Sequence, residues 1–452
     1  MRKFKKADYE ETLNLKVSIR DVLPPDHLAR FVVDIISQFD LRRIYQQYSE
    51  EGAPAYAPEL LLGLLFYGYA TGVFSSRQIE RATYESIPFR FIAGDMHPDH
   101  DTIATFRKRF LGEIGELFVQ ILLLAQAMGL LQLGNISLDG SKIHADASKS
   151  KAVSYKRLLA IEAYLRQQVA ELLALAAAAD KTVLPEKLAI NEEIGRRQQR
   201  LRQLAEAKRV LEERAQARYE AEKAEHEEKL RQRQAKAAAK GQKPRGRKPK
   251  PPTPGPRDKD QYNFTDPASA IMKNANNKGF DQHYNAQVAV DQASLLIVAN
   301  TLSNHPTDQA EALPTVDAIP APLGTPAAAA LDNGYWSEEN VTGLTQRGID
   351  PFIATGREPH HQPWTAFLAQ QPQPLPDDAS PLEKMAYKLR TEVGQAIYRL
   401  RKSTVEPVIG IIKEILGFRQ FSLRGLPAVS GEWMLVCVAY NLKRLHTLRF
   451  AS

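Results

Sequence analysis

From residue 151 to about 236 the chain is written mostly in Ala, Leu, Glu, Lys and Arg, and this stretch limits what the rest can become. These are strong helix formers, so the stretch reads as long helices, broken near Asp180–Pro185. Beyond Leu211 apolar positions are too sparse to fill a globular core, which predicts a helical hairpin or coiled coil projecting from the body. A core must then be assembled from the chain on either side.

From Lys229 to Arg257 there are eleven basic and no acidic residues, ending in GQKPRGRKPKPPTPGPR. Like charges on a proline-rich run cannot bury enough apolar surface to fold alone, so residues 237–260 read as a disordered basic linker. Its centre, Arg245-Gly246-Arg247-Lys248-Pro249, loosely resembles an AT-hook, with Lys248 interrupting Gly-Arg-Pro. The whole chain of 452 residues has room for two or three domains, and its charge of +7 favours a polyanionic partner. One cysteine, Cys437 in the apolar run MLVCVAY, excludes internal disulfides and reads as a buried small hydrophobe. MRKFKKADYEE lacks the apolar core of a signal peptide, and no apolar run approaches the ~20 residues of a membrane span. A cytoplasmic protein with no membrane partner is expected.

Residues 1–130 read as helical throughout. PELLLGLLFYGYA is apolar on every side and must be buried, whereas SSRQIERATYE carries Arg77 and HDTIATFRKRF carries Arg107, Lys108 and Arg109. Several short helices with exposed basic positions suit a helix-turn-helix-like DNA-binding module. A plain helical bundle with solvated arginines has the same composition.

Acids mark the remaining segments. In NISLDGSKIHA the alternation is strand-like, and Asp139 lies within it although aspartate is depleted in strands; a turn at Asp139-Gly140 is the competing explanation. Asn285–Val290 and Leu295–Asn300 form a hairpin around Asp291–Ser294, and a short helix follows over Gln309–Ile319. Ala327–Leu331 is a buried strand delivering Asp332 at its C-terminal end, where open α/β sheets place their sites. Ser337–Thr345 is helical, Asp350–Ala354 a strand, residues 355–380 an irregular insertion, and Leu382–Leu400 a helix. In TVEPVIGIIKEILG a proline fits only a first helical turn, so a helix starts at or just before Pro407 with Glu406 at its end. Lys413, seven residues on, would project from the same face, and Tyr398, Arg401 and Lys402 stand close before it. An amphipathic helix with a solvated Glu and Lys is the competing reading. A last helix spans Glu432–Leu448.

Strand with acid, hairpin, helix, strand ending in acid, helix, strand, helix with acid: this order matches the ribonuclease H-like fold. The expected class is an α/β catalytic core with an all-α N-terminal domain (1–130) and a long helical insertion (151–236) after the first core strand (131–150). The core would resume at 261–452. Three converging carboxylates suit two hard divalent ions, Mg2+ or Mn2+. Asp146 follows the strand and Asp291 lies in a hairpin turn, so neither competes with Asp139. His144 and the His360-His361 pair read as solvated, and Trp336 as a packing residue.

At these residues the chain resembles the DDE transposases of bacterial insertion sequences. SLDGSKIHADASKS looks like the first-aspartate strand, LDNGYWSEEN like the second-aspartate segment and RKSTVEPVIGIIKE like the glutamate helix. GAPAYAPELLLGLLFYGYATGVFSSRQIERA, FIAGDMHPDHDTIATFRKRF, NFTDPASAIMK and GFDQHYNAQVAVD extend the likeness over nearly the whole chain. The resemblance implies Asp139, Asp332 and Glu406 as the metal-binding triad, and Lys413 as the lysine of the family's Tyr-Arg-Glu-Lys signature. Lys402 holds the arginine's position in that signature, and Arg401 and Tyr398 are each displaced by one. It further implies a homodimer, associated with the nucleoid, that cuts the element's terminal repeats and joins the freed 3′ ends to target DNA. Arg77, Arg107, Lys108, Arg109, Arg245, Arg247, Lys248, Arg401 and Lys402 would contact the double-stranded DNA. A ribonuclease H-like nuclease without strand transfer and a non-catalytic DNA-binding descendant are the alternatives.

Overall fold

The computed structural model describes residues 18–49, 55–179, 189–239, 241, 246, 248–274, 279–356, 375, 376 and 378–450. The Asp180–Pro185 break, Arg245, Arg247, His360, His361 and most of the 355–380 insertion lie outside the described residues. Helices open the chain: α1 (Ile19–Val22), α2 (Leu28–Ile36), α3 (Arg42–Tyr45), α4 (Pro58–Ala70), α5 (Ser76–Glu85), α6 (Ile87–Ile92), α7 (His100–Arg109) and α8 (Leu111–Ala127). Strands β1 (Ile136–His144) and β2 (Ala152–Ser154) lead into the long helices α9 (Tyr155–Ala179) and α10 (Ile190–Ala239). Next come β3 (Gln261–Asn263), β4 (Ala270–Lys273), β5 (Phe280–Asp291), β6 (Ile297–Ser303), α11 (Ala312–Asp317), β7 (Ala328–Leu331), α12 (Glu338–Gln346) and β8 (Asp350–Ile353). Helices α13 (Pro381–Arg390), α14 (Glu392–Gly410) and α15 (Leu426–Phe450) follow. The fold is mixed α/β and divides into two compact units, residues 1–144 with 284–452, and residues 145–283.

In the first unit β5 and β6 pair antiparallel, from Asn285 opposite Ser303 to Val290 opposite Ile297. β1 lies beside β5 and pairs in parallel with β7, Ile136 opposite Ala329 and Leu138 opposite Leu331. β8 continues the parallel set beyond β7. The lateral order is thus β6-β5-β1-β7-β8. A strand flanked on both sides and covered by helices reads as a continuous apolar run, and β7 is Ala-Ala-Ala-Leu, buried throughout. Its alanines leave room for α14 to lie across it. β1 runs unbroken through Asp139-Gly140, so no turn stands there. A Cβ at Gly140 would overlap the side-chain amide of Gln287 on β5, which is why glycine occupies the middle of this strand.

The N-terminal helices belong to this same compact unit. α4 has Pro58 at its first position and twelve of its thirteen residues buried, so it has no solvent face to be amphipathic about. Tyr69 on α4 lies within hydrogen-bonding distance of Glu432 on α15, 3.3 Å from its Oε1. Glu432 is itself wholly buried and accepts from the backbone N–H groups of Ser422 and Leu423, each at 3.0 Å from Oε2. A buried carboxylate is tolerated because donors meet it on both sides.

Two helix boundaries differ from the sequence expectation. The predicted Leu382–Leu400 helix is broken at Thr391, whose hydroxyl caps α14 by accepting from the Gly394 N–H at 3.1 Å. α14 does not begin at Pro407; it begins at Glu392 and carries Pro407 inside it. Past Gly410 it widens into a π-turn over Ile411–Ile415. Pro407 lies on the exposed side of the helix.

In the second unit α9 and α10 form the expected helical hairpin, with a small core of Val153, Leu158, Leu204, Ala207, Leu211 and Tyr262 around the β2–β3 pair. β4 pairs antiparallel with the first residues of β5. The described part of the proline-rich segment is not a free linker. The Pro249 carbonyl lies 3.3 Å from His226 Nε2, Arg257 pairs with Glu222 at 2.7 Å, and Arg218 pairs with Asp260 at 2.9 Å. Residues 248–260 therefore run back along α10, because that helix supplies acceptors and donors that composition does not reveal.

Candidate active site

The site is built where α14 crosses β1. Ser137, Asp139 and Ser141 alternate with apolar or glycine positions, so they share one side of the strand. Each meets the segment beginning with α14. Thr404 Oγ1 lies 2.7 Å from the buried Ser137 Oγ, Arg401 Nη1 donates to Asp139 Oδ2 at 3.0 Å, and Lys413 Nζ donates to Ser141 Oγ at 3.0 Å. The Thr404–Ser137 contact sets the helix on the strand, and Arg401 one turn earlier then reaches the aspartate.

Arg401 also donates through Nη2 to Glu406 Oε1 at 3.2 Å, so one guanidinium joins acids from two elements. Its side chain is only 9% exposed, against 50% for Glu406. Burial works against its charge, and the carboxylates of Asp139 and Glu406 more than offset that, holding its pKa above the ordinary arginine value. The side chain of Asp139 is 20% exposed, and its pKa is pushed up to about 6, chiefly by burial, with the charges of Asp332 and Asp308 adding to the rise. Arg401 and the Gly140 N–H, which donates to Asp139 Oδ1 at 2.8 Å, act in the opposite sense.

Asp332 stands one residue beyond β7, at the C-terminal edge of the parallel strands. Its Oδ1 accepts from the Gly334 N–H at 2.8 Å, capping a 3-10 turn over Asn333–Tyr335. The parallel register of β1 with β7 brings it near Asp139, close enough for the two charges to repel. Sequence reasoning missed Asp308, a further acid that shares this field. It is held by Lys142 at 2.9 Å, Asn285 at 2.7 Å and Gln287 at 3.0 Å, all donating to Oδ1. No local pattern marked it, since it lies in a loop and is defined only by partners from β1 and β5.

Lys413 sits in the π-turn and is turned toward β1, donating to Ser141 and toward the Lys142 carbonyl, and burial lowers its pKa below the ordinary value. Arg401, rather than Lys402, supplies the cation at the acids; Lys402 is exposed. The Tyr398 ring lies 6.0 Å from the Arg401 guanidinium. Among the basic residues expected at DNA, Arg77, Lys108, Arg109 and Lys248 are exposed, and Arg109 lies over Tyr48 at 5.2 Å. Arg107 contradicts the expectation of an exposed position. It is buried, donating to Tyr69 Oη at 3.0 Å and to the Phe74 carbonyl at 3.2 Å, because α4 and the loop after it close over α7.

Among the described residues no three of His, Cys, Asp or Glu are gathered closely enough to hold a metal ion. The donor set still fits a divalent cation in kind: carboxylate oxygens only, mutually repelling, with a cation already standing between two of them. Arg401 engages Asp139 through Oδ2 and Glu406 through Oε1, one oxygen of each carboxylate.

Two segments match known protein families. Residues 17–109 match a Transposase domain (DUF772), and residues 375–446 match a Transposase DDE domain. The second contains Arg401, Glu406 and Lys413; Asp139 and Asp332 lie outside both segments. No curated protein and no solved structure matches the chain.

Proposed function

We propose that this chain, a DDE transposase of the insertion-sequence type, cuts DNA at the terminal repeats of an element and joins the freed 3′ ends to a target. The observation that carries the reading is the Arg401 bridge, which draws Asp139 and Glu406 to one guanidinium from positions 267 residues apart in the chain, beside Asp332. The strand order β6-β5-β1-β7-β8, with acids on β1, after β7 and on α14, supports a ribonuclease H-like core.

Asp139, Asp332 and Glu406 would hold the divalent ions on which DDE domains generally depend. Mg2+ or Mn2+, when bound, would activate a water or a 3′-hydroxyl and offset charge on the leaving oxygen. Arg401 keeps Asp139 and Glu406 together and offsets part of their negative charge. Near neutral pH Asp139 is largely ionised despite its raised pKa, and so can act as an oxygen donor. Lys413 fixes the π-turn against β1 by donating to Ser141, which stands two residues along the strand from Asp139. The exposed Arg77, Lys108 and Arg109 would take up backbone phosphates along the N-terminal helices. The protein would act as a homodimer on the nucleoid, one subunit for each element end.

The test is incubation of the purified chain with end-bearing DNA and Mg2+, beside Asp139→Ala, Asp332→Ala and Glu406→Ala. Cleavage followed by joining is expected from the wild type, and end binding without cleavage from each variant. Cleavage without joining would leave a nuclease. A single-alanine variant that cuts near the wild-type rate would remove that residue from the triad.

A further inference from the structure

We propose that Gln287 is a positioning residue: its side-chain amide is the common seat on which Asp139 and Asp332 are set relative to one another, with Tyr335 as its link to the second. The inference rests on the roles proposed above for the two aspartates.

Gln287 lies wholly buried in the middle of β5. Its Nε2 donates to Asn285 Oδ1 and Asp308 Oδ1, both at 3.0 Å, and its Oε1 accepts the phenol proton of Tyr335. Each end of the amide is thus committed, which fixes the direction it points. Trp433 Nε1 donates to the backbone carbonyl of the same residue at 3.3 Å. On the β1 side, Gly140 rests directly on this amide, with no room for a methyl between them. Asp139 is therefore held at a distance from Gln287 set by bare backbone contact.

Asp332 is tied to the same amide by a different route. Tyr335 ends the 3-10 turn that Asp332 caps, and its ring is fully buried. Its carbonyl accepts from Asn340 Nδ2 at 2.7 Å, and its hydroxyl reaches Gln287, so the turn is pinned at both ends. A neutral amide suits this seat. It meets Asp308 and Tyr335 without adding a charge to a region that already holds Asp139, Asp308 and Asp332. Burial and those three carboxylates hold the Tyr335 phenol well above its ordinary pKa, so it remains a donor.

The test uses the full chain and Tyr335→Phe, which removes one hydroxyl and keeps the ring. Free Mn2+ is followed by electron paramagnetic resonance to obtain ion affinity, and single-turnover cleavage is measured at saturating end DNA. Loss of a group that orients metal-holding residues should weaken Mn2+ binding and cleavage by about tenfold or more. DNA affinity should stay close to wild type, and the melting temperature should fall by only a few degrees, about what one unpaired buried acceptor costs. Wild-type Mn2+ affinity and rate in a folded Tyr335→Phe protein would overturn the inference. Gly140→Ala perturbs Gln287 from the other aspartate. The double variant should therefore lose less Mn2+ affinity than the two single losses multiplied, and simple multiplication would also overturn it. If the wild type binds Mn2+ and never cuts DNA, the proposed function falls while the Mn2+ comparison still decides the role of Gln287. If the wild type cuts DNA and Tyr335→Phe matches it in both readouts, only the present inference falls.

Discussion

Thr404 Oγ1 and Ser137 Oγ lie 2.7 Å apart in a buried contact that joins α14 to β1 across 267 residues of sequence. Ser137 also accepts from Gln292 Nε2 at 3.0 Å, so the strand hydroxyl sits between two donors. Thr404→Val keeps the shape and removes the hydroxyl. It should cost about 1–2 kcal/mol, read as a lower urea midpoint, and should lower single-turnover cleavage. Ser137→Ala combined with it should cost less than the two losses added, because they share one contact. Additive losses would mean that the two hydroxyls act separately.

Arg401 spans Asp139 and Glu406 with two nitrogens of one planar group, and a lysine ammonium cannot present that fork. Arg401→Lys is expected to lower cleavage by at least about tenfold while retaining its charge. Lys402→Ala, at an exposed neighbour, should alter DNA affinity with little change in the rate for bound DNA. The opposite pattern would move the arginine's role to Lys402.

The Asp139 carboxyl titrates at about 6, burial being the main cause, instead of at its ordinary value of 3.8. A folded-state pKa above the unfolded one means that the folded chain holds this proton more tightly. Its contribution to stability is then fully present below the ordinary value and is lost as pH rises through about 6. The change is on the order of 3 kcal/mol. Urea melts of metal-free protein from pH 4 to 8 should show wild type losing stability relative to Asp139→Asn over that range. A constant difference would show an unperturbed carboxyl. Arg401→Met, by removing a cation that lowers this pKa, should shift the acid limb of cleavage to higher pH.

The acids were legible because each stands where its element gives no local reason for it: Asp139 within a strand, Asp332 after a fully apolar one. The arginine register was not. Reading Pro407 as a first-turn residue put a break after Leu400, so Arg401 fell between two expected helices instead of inside α14. Arg107 was misread for a related reason. On its own helix it looks solvated, and only Tyr69 and Phe74, from another part of the chain, enclose it.

Arg107→Ala should accordingly act on folding. Removing a buried cation bonded to Tyr69 leaves that hydroxyl and the Phe74 carbonyl without a donor, at a cost of about 3 kcal/mol or more. Lys108→Ala, at the exposed next position, should leave the melting temperature unchanged and weaken binding to all DNA sequences alike. Equal melting temperatures for the two variants would contradict the burial of Arg107.

On the segment lying along α10, Lys248 and Lys250 are exposed, whereas Lys229 and Arg231 pair with Glu225 and Glu228 on the same helix. Lys248→Ala and Lys250→Ala should each flatten the slope of log K against log salt by up to about 0.9. Neutralising Lys229 or Arg231 should change it less. Equal slopes for the lysine variants and wild type would make the segment a spacer.

The pairing of Ile136 with Ala329 has a consequence for how the protein is made. β1 leaves the ribosome about two hundred residues before its parallel partner, a delay of roughly ten to forty seconds at ordinary translation rates. The α9–α10 hairpin rests on local contacts and can form during that wait, shortening the loop that β1 must later close. Arg401 and Glu406 are translated later still. A nascent chain thus carries its first aspartate without Arg401 and Glu406, so the two acids cannot be drawn to one guanidinium until α14 has been made.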